Sequence, residues 1–220
     1  MDLPFTAEQF RSVFVRYNLA VSPAPWVLYG LALLGIVLIA SGRRHSYRII
    51  YLILALFWLW SGLVYHIGFF TAINPMAYLF GGLFITEALL LAWFGLRQSD
   101  RSFEFSSKSR FVAGAFLTCA ALVIYPAISL LMGHRYPATP TFGLPCPTTL
   151  FTVGVLLWSK PPLPWRIVII PLLWSAMGLT AVVQLGMYQD FLLLVGLLAG
   201  SLLLLRPSDR LVKGIGYVRS

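Results

Sequence analysis

Ile49-Ile50-Tyr51-Leu52-Ile53-Leu54-Ala55-Leu56-Phe57-Trp58-Leu59-Trp60-Ser61-Gly62-Leu63-Val64-Tyr65-His66-Ile67-Gly68-Phe69 runs without an Asp, Glu, Lys or Arg. A helix of that length, at about 1.5 Å rise per residue, matches the roughly 30 Å hydrocarbon core of a bilayer. Six further apolar stretches surround it: Trp26 to Ala40, Pro75 to Leu96, Phe111 to Met132, Thr141 to Ser159, Trp165 to Leu185 and Asp190 to Leu205. The gaps between them carry an alternating charge. All of the 16 Lys and Arg except Arg11, Arg16 and Arg135 fall in gaps one, three and five or in the C-terminal tail. They are Arg43, Arg44, Arg48, Arg97, Arg101, Lys108, Arg110, Lys160, Arg166, Arg206, Arg210, Lys213 and Arg219. Positive charge in short loops stays cytoplasmic, which predicts an outside N-terminus and a cytoplasmic C-terminus.

The composition agrees. With 59% hydrophobic residues, 10% charged and a mean hydropathy of +0.84, the chain cannot cover itself with polar surface, so a soluble domain is excluded. Strand-period alternation is absent, which disfavours a β-barrel. The expected fold is all-α, a polytopic membrane protein of about seven transmembrane helices behind an amphipathic interfacial helix. It divides into an interfacial helix over 1–22, one transmembrane domain over 23–205 and a basic cytoplasmic tail over 206–220. The net charge of +9 is spread over the cytoplasmic loops instead of forming one patch, so anionic lipid headgroups, not nucleic acid, are its expected counter-charge. Two cysteines, Cys119 and Cys146, do not make a disulfide framework, and Asp2 and Glu8 occupy the place of a basic signal-peptide segment.

Before the first span, Thr6 and Gln9 are spaced as a capping box, with Phe5 and Phe10 placed as a hydrophobic staple. Phe10, Val13, Phe14 and Tyr17 then share one helical face, and Glu8, Arg11, Ser12 and Arg16 lie elsewhere, the pattern of a helix on the outer membrane surface. It serves either as an orientation anchor or as a lid. Short outer gaps make spans two and three, and six and seven, antiparallel hairpins. The connection Gly133 to Pro147 holds too many prolines and glycines for a continuous helix. Part of Tyr136 to Cys146 is read as dipping into the protein, where other helices or a water-filled cavity must satisfy its backbone. The alternative is a stiff surface loop above a tilted span. Asn74-Pro75, Cys146-Pro147 and Gln189-Asp190 each suit a helix start, a faint sign of three repeated hairpins.

Ionisable groups at membrane depth are functional candidates. Glu87 stands inside span three between Ile85, Thr86, Ala88 and Leu89, where desolvation favours a protonated or proton-cycling carboxyl. His66 lies near the outer end of span two, His134, Arg135 and Tyr136 follow span four, and Gln184, Gln189 and Asp190 bracket the last outer turn. All of them reach the same leaflet on this topology. Outward helix N-termini together with Arg135 favour an anionic or electron-rich small solute. Cys146, read as the N-cap ahead of Pro147, would have its thiolate favoured by the helix dipole and by Arg135 or His134. With His66, His134 and Asp190 it makes a zinc-like ligand set, although no HxxxH or CxxC spacing supports one. His45 reads as solvated, Cys119 as a packing residue, and Trp58, Trp60, Trp93, Trp158, Trp165 and Trp174 as interfacial belts. Span seven lacks a retinal-binding lysine, and no Walker motif, paired catalytic carboxylates or GxSxG occurs.

Pro4-Phe5-Thr6 with Gln9-Phe10, Tyr17-Asn18, Asn74-Pro75, Gly133-His134-Arg135-Tyr136-Pro137, Pro145-Cys146-Pro147-Thr148-Thr149 and Gln189-Asp190 resemble the pattern of a small bacterial membrane-protein family, domain of unknown function six-zero-six-four. The resemblance covers nearly the whole chain and is most specific at His-Arg-Tyr-Pro and Pro-Cys-Pro-Thr-Thr. It implies a bacterial multi-pass membrane protein, sometimes labelled permease-like, and no particular activity.

The expected function is a small-solute transporter or channel-like permease of the bacterial inner membrane, without a cofactor. His66, His134, Arg135, Tyr136, Cys146 and Asp190 would line an outer-leaflet site, Glu87 would respond to protons, and a thin bundle of short spans suits a homo-oligomer. The alternatives are a metal-dependent intramembrane enzyme and a non-catalytic sensor or assembly partner.

Overall fold

A computed structural model describes residues 3–43, 46–97, 103, 105, 107–161 and 163–205. The basic tail 206–220, His45, Arg44 and Arg101 lie outside the described residues. Nine α-helices follow one another among the described residues: α1 (Ala7–Val21), α2 (Ala24–Ala40), α3 (Ser46–Trp60), α4 (Ala77–Arg97), α5 (Lys108–Cys119), α6 (Tyr125–Leu131), α7 (Pro145–Trp158), α8 (Ile169–Leu185) and α9 (Phe191–Leu205). Strand pairing there is limited to isolated bridges.

Among the described residues, four helical segments are long and apolar enough to cross a bilayer: Ser46–Ala72, Ala77–Arg97, Lys108–Leu131 and Trp165–Leu185. The number rises to five if α1 and α2, bent by 84° at their junction, are one broken span. Among the described residues, the seven stretches expected from sequence thus give four or five segments of crossing length, with α7 and α9 as shorter apolar helices. Ser22 and Pro23 part α1 from α2, where a prolyl nitrogen cannot donate to the preceding turn. The 14 residues of α7 are preceded by the dipping loop, and nearly all of them are buried. A helix apolar on every side belongs inside a bundle. Its hydroxyls turn back on its own turns, Thr149 to the Pro145 carbonyl and Thr152 to that of Thr148, each at 2.8 Å.

Around α7 the chain packs as hairpins: α3 on α4, α5 on α7 and α8 on α9, with α2 against α3. Two of these contacts need glycine. A Cβ on Gly62 would stand 3.0 Å from the Gly81 carbonyl oxygen, and one on Gly154 would stand 3.0 Å from that of Gly114. Small residues let helix backbones approach closely where lipid supplies no hydrophobic drive to associate. Large apolar side chains such as Trp26, Val37, Val183 and Leu198 cover the outside of the bundle, the surface that hydrocarbon solvates.

Trp58 is fully buried against Phe84, ring centroids 4.4 Å apart, and donates to Thr152 Oγ1 at 2.9 Å. Trp158 is also buried, so the expected tryptophan belt reduces to exposed residues such as Trp93 and Trp165, each beside an arginine, Arg97 or Arg166. Arg110 donates to the Leu157 and Ser159 carbonyls at 3.1 and 3.2 Å, satisfying the C-terminal end of α7.

Candidate functional site

The opposite ends of these helices enclose a cavity of about 490 Å³. Its roof is α1. The capping box forms, with Gln9 N–H donating to Thr6 Oγ1 at 3.2 Å and Thr6 N–H to Gln9 Oε1 at 2.8 Å. Phe5 stacks on Phe10 at 5.9 Å as the staple. The apolar face of α1 is turned into the protein: Val13, Phe14 and Tyr17 are buried, and Trp60 donates to the Tyr17 hydroxyl at 2.7 Å. Phe5, Phe10 and Phe14 line the cavity from above, the geometry of a lid.

The connection between α6 and α7 forms one wall, and it enters the protein instead of crossing its surface. Phe142 is 1% exposed and packs against Tyr29, Phe57 and Phe151. Buried carbonyls need donors. Asn18 Nδ2 gives hydrogen bonds to the Pro137 and Thr139 carbonyls at 2.7 and 2.8 Å, and Ser61 Oγ gives one to the Gly143 carbonyl at 2.7 Å. Asn18 Oδ1 accepts from Thr141 Oγ1 at 2.8 Å.

At the floor, three polar side chains meet. The Tyr125 hydroxyl donates to Asp190 Oδ1 at 2.6 Å, and the Cys146 thiol is the other polar group beside this carboxyl. Tyr125 is delivered by a π-helical segment, Ala120–Ile124, immediately before Pro126, where the missing prolyl N–H interrupts the regular ladder. Trp174 of α8 stands beside the same thiol. Behind its indole lies His66, ring centroids 5.0 Å apart, on a second π-helical turn, Ser61–Ile67. Phe84, Phe80, Phe70 and Tyr65 complete an aromatic enclosure around the imidazole. Among the described residues, neither His66 nitrogen has a hydrogen-bond partner, and neither does either carboxyl oxygen of Glu87, one turn along α4 from Phe84. Both residues are fully buried.

The predicted site residues thus separate into groups. Cys146 and Asp190 share the cavity, and His66 adjoins it through Trp174. His134, Arg135 and Tyr136 do not line it. His134 is half-buried, and its pKa is lowered first by desolvation and then by the Arg11 guanidinium. Arg135 is exposed. Tyr136 lines a second cavity of about 400 Å³ beside Trp26 and Tyr29, and its hydroxyl donates to the Asn18 carbonyl at 3.2 Å. Cys146 is not an N-cap. Helix α7 begins at Pro145 with Leu144 as the cap, because Pro145 suits the first turn as well as Pro147 does. The polar neighbours of its sulfur are Asp190, Trp174 and Tyr125, none of them a cation. The zinc-like set does not assemble: among the described residues no three His, Cys, Asp or Glu side chains gather to hold a metal.

This arrangement occurs in a sequence whose residues 7–213 match the model of a family of unknown function, DUF6064. The chain belongs to that family. No curated protein and no solved structure matches it. In this DUF6064 member, sequence reasoning missed Asn18, Tyr125 and Trp174 as working residues of the site. Pro126 inside a span was the available signal for Tyr125, since a mid-span proline marks a break in the helix.

Proposed function

We propose that this protein is a seven-span protein of the bacterial inner membrane, N-terminus outside and C-terminus cytoplasmic, that admits a small solute under α1 and acts as a proton-sensitive permease. The distribution of charge supports the orientation. Arg43, Arg97, Lys108, Arg110, Lys160 and Arg166 mark the helix ends remote from the cavity, and Asn74, Cys146 and Asp190 mark the ends at the cavity. A cysteine placed at Arg135 is expected to react with an impermeant maleimide on intact cells, and one at Arg166 only after permeabilisation. The reverse pattern overturns the orientation.

One observation carries the functional reading: an apolar cavity with a few convergent polar groups, His66 adjoining it through Trp174, while Glu87 lies farther along α4 and outside the lining; both are buried titratable side chains without a hydrogen-bond partner among the described residues. Such a pocket is the usual form of a small-molecule site, and an unpartnered carboxyl at membrane depth is costly, which marks it as a functional candidate. The lining supports a mainly apolar solute in place of the anionic one expected from Arg135, because its floor presents a carboxyl. Solutes that raise the melting temperature of the protein in nanodiscs should lose that effect in Ala181→Trp, which fills the cavity. For such a solute, Glu87→Gln is expected to retain exchange across proteoliposomes while abolishing accumulation driven by a pH gradient. Undiminished pH-driven uptake in that variant removes Glu87 from the mechanism.

A further inference from the structure

The residues around the cavity differ sharply in kind. Its walls are mostly aromatic, aliphatic and thioether side chains, with Asn74 and Thr180 as further polar groups; among the described residues no lysine, arginine or histidine lines it, and Asp190 is the acidic one. Asp190 is 2% exposed, and the groups beside its carboxyl, the Tyr125 hydroxyl and the Cys146 thiol, are neutral donors. A buried carboxylate is far better compensated by a counter-charge than by neutral donors alone. The cavity also opens in a particular direction. Met76 and Leu79 on the α4 side and Met177 on α8 all line it, and all three are exposed on the apolar outside of the bundle. The mouth therefore faces the acyl chains, and a ligand reaches it by first dissolving in the leaflet. Tyr65, Phe70 and Trp174 put aromatic side chains in the wall, a residue type that attracts cations.

We propose that this cavity is an ammonium site, in which Asp190, flanked by Tyr125 and Cys146, receives the charged nitrogen of a lipophilic amine whose apolar body lies between α1, α4 and α8. The assignment rests on the solute-cavity reading above and names its ligand class. The nitrogen belongs either to a free amine or to the headgroup of an aminophospholipid entering from the side.

The test uses the full chain in nanodiscs of phosphatidylcholine and phosphatidylglycerol, titrated with phenylbutylamine, phenylbutanol and phenylbutyrate and corrected by empty nanodiscs. Tryptophan fluorescence and melting temperature are read. Phenylbutylamine is expected to bind roughly tenfold or more tightly than phenylbutanol, with phenylbutyrate weakest, since the charge pair is what distinguishes them. Asp190→Asn should bring amine and alcohol to equal affinity. If the alcohol binds the wild-type protein as tightly as the amine, the ammonium site is overturned and the solute cavity stands. If none of the three binds, both fall. The wild-type comparison decides this even if Asp190→Asn does not fold. Phosphatidylethanolamine added to the nanodiscs distinguishes the sources: competition with the amine assigns the site to the lipid headgroup, and unchanged affinity assigns it to a free amine.

Discussion

Asn18→Leu is expected to release the lid helix and the inserted loop together, lowering stability by about 2–4 kcal/mol because buried polar groups lose their only donor or acceptor. The Asn18 amide spans two carbonyls, those of Pro137 and Thr139, and its oxygen holds the Thr141 hydroxyl. Pro137 and Pro140 deprive this loop of backbone donors with which it could satisfy itself. Leu keeps the branched outline of Asn but is bulkier, so overpacking at this buried position adds to the lost hydrogen bonds. The checks are thermal unfolding in nanodiscs and hydrogen exchange over residues 136–144, where protection should fall. A melting temperature within about a degree of the wild type would mean that Phe142 and the Ser61 hydrogen bond hold the loop without Asn18.

Gly154→Ala should be comparably damaging through sterics. The added Cβ would stand 2.9 Å from the Thr118 backbone nitrogen and 3.0 Å from the Gly114 carbonyl oxygen, and neither atom is the end of a flexible side chain. Because α7 is buried on almost every side, it has no open direction in which to shift. We expect α5 and α7 to separate at a cost of about 3 kcal/mol, the upper part of the range for overpacking. Folded yield from membranes and the unfolding midpoint measure it. Gly30→Ala on α2 is the control, since nothing stands within 4 Å of its added Cβ; helix propensity there predicts a neutral change or a gain of up to about 1 kcal/mol. Equal losses at both positions would show that the close approach of α5 and α7 is not what holds the bundle.

Local signals in the chain were read well. The Thr6 and Gln9 capping box, the Phe5 and Phe10 staple and the apolar face of α1 each depend on neighbours within two turns, which residue spacing reveals. The insertion of the loop before α7 was legible because proline and glycine exclude helix there, and a segment too short to cross must be completed by something else. Spacing erred where two solutions were locally equivalent: Pro145 and Pro147 both suit a helix start, so the cap was misplaced onto Cys146. It also erred in gathering residues by leaflet alone. His134 and Cys146 lie at the same end of the bundle, yet one neighbours Arg11 on the lid and the other lies beneath it.

Hydropathy without strand-period alternation, by itself, pointed to apolar helices suited to lipid, because only helices and closed barrels satisfy their backbone without water. Tertiary packing alone decided the site. Tyr125 reaches Asp190 across 65 residues and Asn18 reaches Thr139 across 121. Partners that distant are chosen by how helices rotate and close on one another around α7, and that rotation is a property of the whole packed bundle and not of any one stretch of it.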